Sequence, residues 1–497
     1  MATAQIPPPK GHGFSTNGPM LHNWWPVPST LGRSDSEFRT IPGSHILSSA
    51  PDVNGVGCRG SFISATGPES DGFIGSRYIC FGDSIFRIKT DDSLVRVGRF
   101  NSISGGAVSW AENQAQGNTD VFIYVCDGVT IYKFSAKAED ADIASTFSEL
   151  PNLPFCAENS SQYIKPRFLT WDHYRLIVTA SNSSAWYYSE TGTDTLSSDQ
   201  AYFGESRNDK TQRVIAFGGN VISFGRYSYD LFSWTGESED PYAASNGLAG
   251  SIGLSSPDGI AIVGNSLVWL GSGPNGVDAV WAMSPNMSIT KISDNDTEKI
   301  IGSWASREYA RAFSISVQGS DLFVIGSVND GYTMCYDLTN NVWFRAGETA
   351  NGKMVDWKLA HPILGYYGEM IAGALDSNDL LSVGGTCVSH NGNPIVRLMQ
   401  TPHQVANGKP FQLARVIPDF DPGLGQSPVD YCEAFVQWSW SFGKEWEERM
   451  VVSLGKLGNY MNEIGIFGGG FGTSIVLRIG TSDPVPVALY NVVAELN

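Results

Sequence analysis

The sequence predicts an all-β protein: a β-propeller of about six to seven blades, followed by a small C-terminal β-sandwich-like module. Composition is the first reason. The 497 residues hold 55 Gly, 25 Pro, 14 Trp, 19 Tyr and 25 Phe, and only 16% are charged. That mixture suits many short strands joined by tight turns and suits long helices badly. The second reason is a hairpin that recurs. Apolar alternation, a turn and a second alternating run appear in "RYICFGDSIFRIK" from Arg77, "VFIYVCDGVTIYKF" from Val121 and "YRLIVTASNSSAWYYS" from Tyr174. They appear again from Arg213, Gly259, Asp321 and Ile363. The third reason is spacing. The hairpins fall about 45–50 residues apart, the period of propeller blades. A pair of β-sandwiches is the rival architecture, and seven hairpins in succession favour the propeller.

Taken in order, residues 1–45 read as an N-terminal arm. "MATAQIPPPKGHGFSTNGPMLHNWWPVP" is rich in Pro and Gly yet carries Leu21, Trp24 and Trp25. Such anchors are candidates for an interface with a neighbouring molecule, so that deleting residues 1–28 impairs assembly more than folding. The alternative is that they pack against their own chain. Residues 46–400 are the expected propeller, its last blade expected to be closed by another segment. Residues 401–430 break the rhythm with Pro and Gly and are expected to be a linker. Residues 431–497 return to short strands and form the expected β module.

Within that module "NEIGIFGGGFGTSIVLRIG" looks like a phosphate-binding loop. Such a loop needs a strand before it, a helix after it and, in a P-loop, a Lys. Here β-branched residues follow, so a turn between two strands is expected, with glycine supplying positive φ. No other catalytic constellation stands out. There is no G-x-S-x-G or H-E-x-x-H, no histidine pair at metal-ligand spacing and no calcium loop. Catalytic, cofactor and metal sites are all expected to be none. The acidic runs at 139–142, 236–240 and 293–298 read as solvated loop faces. Seven scattered cysteines with no C-x-x-C read as buried, reduced thiols. No apolar leader and no span of 18 apolar residues is seen, so folding in a cytoplasm is expected. The net charge of −18 disfavours a tight nucleic-acid binder.

Two local motifs resemble known blade elements. "CYDLTNNVWF" resembles the Tyr-Asp…Trp strand pair of kelch blades. "SWSFGKEW", Ser439 to Trp446, resembles the Asp-box hairpin of sialidase-type propellers, with Ser441 in place of the Asp and Glu445 in place of the Thr. A wider resemblance spans nearly the whole chain. It is carried in order by "LHNWWPVP" (21–28), "FRTIPGSHILSSAPDVNGVGCRGSF" (38–62) and the stretch 259–301. "AGALDSNDLLSV…GNPIVRLMQTPH" (372–403) and "WSWSFGKEW…SLGKLGNY…SDPVPVALYNV" (438–492) complete it. Together these resemble the packaged-DNA stabilisation proteins of short-tailed phages, the tail hub or plug proteins. The family's Arg-rich strand after Gly-Lys-x-Gly-x-Tyr is replaced here by "NEIGIFGGGFG".

The resemblance implies a structural virion protein of the tail, assembled in the host cytoplasm as a homohexameric ring. It implies a portal or head-to-tail adaptor above, a tail needle or fibre below, and tailspikes docked on the ring. DNA would pass through the lumen without tight binding. The competing reading is a carbohydrate-binding or glycoside-cleaving propeller. It is favoured by the tryptophans and the altered Asp-box, although most of these tryptophans are expected in the core.

Overall fold

A computed structural model of the chain describes residues 2–5, 19–29, 36–68, 75–101, 106–113, 120–151, 153, 165–204, 209–245, 249–273, 276–351, 353–384, 387–405, 408–423, 431–460 and 465–497. Each of the seven predicted hairpins falls in a different sheet. Blade 1 runs Cys58–Ser64, Ser76–Phe81, Ser84–Ile88 and Leu94–Arg99. Blades 2, 3 and 4 begin on Ser109–Glu112, Pro166–Asp172 and Arg213–Phe217. Each carries three further strands outward. In blade 5 the strand Ser266–Ser272 holds both Gly253–Leu254 and Ile260–Val263 on one edge. Blade 6 begins on Arg311–Val317 and blade 7 on Leu359–Leu364.

The tight turns follow backbone chemistry. Gly218 and Gly219 both have positive φ, 58° and 75°, and so do Gln318 and Gly319, 49° and 84°. Two consecutive left-handed residues make the mirror-image turn that matches strand twist. The turn at His173 and Tyr174, with φ of 42° and 60°, has the same shape with no glycine to announce it.

Blades are glued through apolar faces. Tyr78, Ile85, Ile123 and Phe134 fill the space between blades 1 and 2, and Tyr124, Ile131, Leu176 and Val178 that between blades 2 and 3. Trp186 and Phe232 join blades 3 and 4, and Phe224 and Trp269 join blades 4 and 5. Val268, Phe323 and Trp343 join blades 5 and 6. Cys58, Phe81, Ile371 and Leu380 close the ring between blades 7 and 1. The arrangement is therefore a seven-bladed β-propeller.

Blade 7 has only three strands from its own stretch of chain. Its fourth is Ser44–Ser49, antiparallel to Asp379–Val383, so an N-terminal strand closes the circle. This satisfies an edge that would otherwise expose its backbone groups.

The arm and the C-terminal residues form one sandwich. One of its sheets orders Trp24–Pro28, Ser36–Thr40, Leu489–Leu496, Phe411–Phe420 and Ile466–Phe467. Ala2–Gln5 adds to the Leu489–Leu496 strand. The other sheet continues blade 6. Met20–His22 lies between Val342–Ala346 and Arg397–Gln400, and Ser474–Thr481, Cys432–Ser439 and Met450–Gly455 follow. The stretch 401–430, expected as a linker, thus contains a ten-residue strand inside a sheet. Its prolines misled: Pro418 is paired with Val492, and Val416, Pro418 and Phe420 alternate inward beyond a bulge between Leu413 and Arg415.

Candidate functional site at the propeller–sandwich seam

The largest apolar cluster is the seam where blades 6 and 7, the arm and the sandwich meet. Leu21, Trp24 and Trp25 lie at its centre and are fully buried. They face their own chain's interior, which corrects the expectation that they anchor a neighbouring molecule. The reason is packing: strand side chains point out of the sheet plane, and here they enter the apolar layer shared by blades 6 and 7 and the sandwich.

Trp25 donates its Nε1–H to Asp337 at 2.7 Å and stacks on Phe344 with centroids 6.0 Å apart. Asp337 also accepts from the backbone N–H groups of Thr339 and Asn340, so one carboxylate holds both the kelch-like turn and the arm. Asn23 was not singled out by the sequence. It is fully buried, with φ of 56°. Its Nδ2 donates to the carbonyls of Gly347 and Val396, and its Oδ1 accepts from the Gly347 N–H at 2.9 Å. Its backbone N–H reaches the Arg345 carbonyl. The available signal was a lone amide inside the apolar run "LHNWWPVP", a buried polar group that needs partners.

Arg397 extends the seam. It is wholly buried and donates to the carbonyls of Asp483 and Val485. Burial pulls its guanidinium down to about 10. His390, beside the closing strand, has Nδ1 3.5 Å from Ser44 Oγ. Burial, with Arg397 nearby, lowers its imidazole to about 4.

The glycine run is a sheet edge. Ile466–Phe467 pairs with Arg415 and Val416, and Phe471–Gly472 with Phe411 and Gln412. The chain then crosses to the other sheet as Ser474–Thr481, so the run is not a hairpin between neighbouring strands. Gly468 and Gly470 have positive φ, 78° and 77°. A Cβ on Gly469 would sit 2.4 Å from Leu413, and one on Gly472 would sit 2.4 Å from the Trp440 ring. Glycine is needed for close packing, not for phosphate. In the Asp-box-like turn Ser441 Oγ accepts the Glu445 N–H at 2.8 Å, so the serine ties a hairpin turn.

The sandwich carries much exposed apolar surface. Val405, Tyr431, Phe442, Met450, Val451, Leu457, Tyr460, Phe467 and Phe471 are all exposed. Met450–Gly455 is also the last strand of its sheet. By contrast none of the tryptophans is exposed.

The remaining candidates have structural roles. Asp294 caps the helix Asn295–Ser303 through the Thr297 N–H. Asp140 pairs with Arg87 at 3.0 Å. Among the described residues no group of His, Cys, Asp or Glu is arranged to hold a metal, and no helix is long and apolar enough to cross a membrane. Cys58, Cys80, Cys126, Cys335 and Cys432 are buried and form no disulfide among the described residues, Cys387 is half-buried with its Sγ 3.1 Å from His45 Nδ1, and Cys156 lies outside the described residues.

A family model described as "Bacteriophage P22 Gp10, beta-propeller" matches residues 10–382. The chain belongs to this family. The match takes in the arm from residue 10 onward and all seven blades, and stops within the Asp379–Val383 strand. As members of a phage β-propeller stabilisation family, these residues form part of a phage structural protein. No curated protein matches the chain. Among solved structures it is similar to YCF48 from Cyanidioschyzon merolae, at 11% identity over 69% of this chain and 98% of that one, with a TM-score of 0.39. It is also similar to the extracellular domain of the putative one component system BT4673 from B. thetaiotaomicron, at 8% identity over 85% of this chain and 48% of that one, with a TM-score of 0.39.

Proposed function

We propose that this protein is a tail-hub component of a short-tailed phage. In this reading copies of the chain form a ring, a homohexamer, below the portal and its adaptor. The ring retains packaged DNA and docks the needle or fibre and the tailspikes. The family match over the whole propeller is the observation that carries the reading.

Three features support it. Blade 6 and the sandwich share one continuous sheet, so load on either part passes through backbone hydrogen bonds rather than through a hinge. The apolar side chains on the sandwich provide surface suited to a protein partner. The charge of −18 repels a duplex over about one Debye length of 8–10 Å, which keeps DNA off the lumen wall. Retention then comes from physical closure, not from affinity. The carbohydrate reading loses support because no tryptophan is exposed.

Mass measurement of the full chain, alone and with the adaptor protein, tests the ring. Discrete closed oligomers are expected. A chain that stays monomeric under both conditions contradicts the proposal. Binding to double-stranded DNA at physiological salt should be weak, and sub-micromolar affinity with a steep salt slope would refute passive passage.

A further inference from the structure

Every blade begins on its innermost strand, so residues at the start of those strands share one end of the propeller axis. Arg167, Arg213 and Arg311 each occupy the first or second position of such a strand, in blades 3, 4 and 6. Arg167 and Arg213 both lie over the Phe168 ring, with guanidinium carbons 5.3 and 4.6 Å from its centroid. Arg213 donates to the Pro257 carbonyl at 3.0 Å. The carboxylate here is Asp258, 4.0 Å from Arg167. Arg311 makes no ion pair among the described residues, and it lines a cavity of about 30 Å³ with His361, Asp356 and Trp357. The charges acting on Asp356 are Lys358 and Asp376, and Lys358 is already paired with Asp376.

His361 completes the cluster from blade 7. The ladder slips between Ala360 and Ile363, and His361 sits there with φ of 47°. A bulge with a left-handed, non-glycine residue re-aims a side chain at a cost that packing alone does not require. Ser61 of blade 1 donates to the His361 carbonyl at 2.6 Å and holds the bulge from the other side. Burial, Arg311 and Arg213 together push the imidazole down to about 4.

We propose that this end of the propeller axis binds a small oxyanion of the phosphate class, held by Arg167, Arg213 and Arg311. Guanidinium forks match oxyanion geometry, and an unpaired half-buried arginine gains most from such a partner. The proposal does not depend on the tail-hub reading.

Calorimetric titration of the full chain with inorganic phosphate tests this. Saturable binding is expected, and Arg311→Gln should weaken it by about tenfold or more. Arg449→Gln, on the sandwich, should leave it unchanged. Because Arg213→Gln also loses the Pro257 contact, Arg167→Gln serves as the second variant, with the same expected direction. An independent readout is the His361 ring. Its titration midpoint should rise when phosphate is bound, because a nearby anion favours imidazolium. The proposal is overturned if the wild-type chain shows no saturable binding up to about 10 mM phosphate. It is equally overturned if Arg311→Gln and Arg167→Gln bind as tightly as wild type, or if His361 does not respond.

Discussion

Blades 1 to 5 and the seam hold together in different ways. In blades 1 to 5 each sheet is made from one local stretch of chain, and each pair of neighbours shares a small cluster of its own. At the seam, residues 20–28 touch residues more than three hundred positions away, and Asn23 alone bridges separations of 324 and 373. The first region is a repeated local solution. The second is a lock made once, from both ends of the chain. A repeat tolerates a local fault because only its neighbours feel it. A lock does not.

The sharpest way to break this contrast is to remove residues 1–28. That deletion takes away Leu21, Asn23, Trp24 and Trp25 at once. The expected outcome is loss of soluble folded protein, rather than a folded chain that merely fails to assemble. Expression and circular dichroism check it, and a well-folded truncated chain would dissolve the contrast. Single changes follow. Trp25→Ala should cost about 3–5 kcal/mol, through a large cavity and an Asp337 carboxylate stripped of a donor. Asn23→Ala should cost roughly 2–4 kcal/mol, because the Gly347 N–H and two carbonyls lose their partner. A comparable truncation between blades, Ile123→Ala, should cost about as much as other buried Ile→Ala changes, about 2–5 kcal/mol. Its damage should remain confined to blades 1 and 2. Denaturant unfolding gives the costs, and the spread of lost protection separates the cases.

Acid sharpens the contrast less strongly. His390 is buried at the closing strand with its imidazole lowered from 6.5 to about 4. The unfolded state therefore binds more protons between those values, and stability rises with pH across that window. Lowering the pH from 6.5 toward 4 should cost up to about 3 kcal/mol at this site. His390→Gln should roughly halve the slope in that part of the pH profile, because His361, lowered over the same window, supplies the rest. The smallest expected effect is at the glycine edge. Gly469→Ala should cost about 1–3 kcal/mol by pressing on Leu413. Melting temperature follows both.

The same contrast explains what was legible in the sequence. The hairpins were legible because alternation and turn residues are local. "RVIAFGGNVISF" states its strands and its Gly218–Gly219 turn within twelve positions. The sandwich was legible in kind but not in extent. Nothing near Phe411 says that its strand pairs with Leu489–Leu496, and five prolines with nearby glycines in 401–430 looked like a connector. The arm was visible as an anomaly, since Trp24 and Trp25 need burial. Which surface buries them depends on Asp337 and Phe344, far along the chain. The arginines on the axis were invisible for a similar reason. Arg167, Arg213 and Arg311 are unremarkable singly and converge only once the blades close.

Hydrogen exchange across the whole chain tests the central claim most directly, namely that propeller and sandwich are one body locked at the seam. Amides in 20–28, 342–346, 397–400 and 474–481 should exchange with a single shared free energy, and Asn23→Ala should lower all four together while leaving blades 2 to 4 unchanged. If instead 397–400 and 474–481 open well before 342–346, the sandwich is a separate domain resting on the propeller, and the account is wrong.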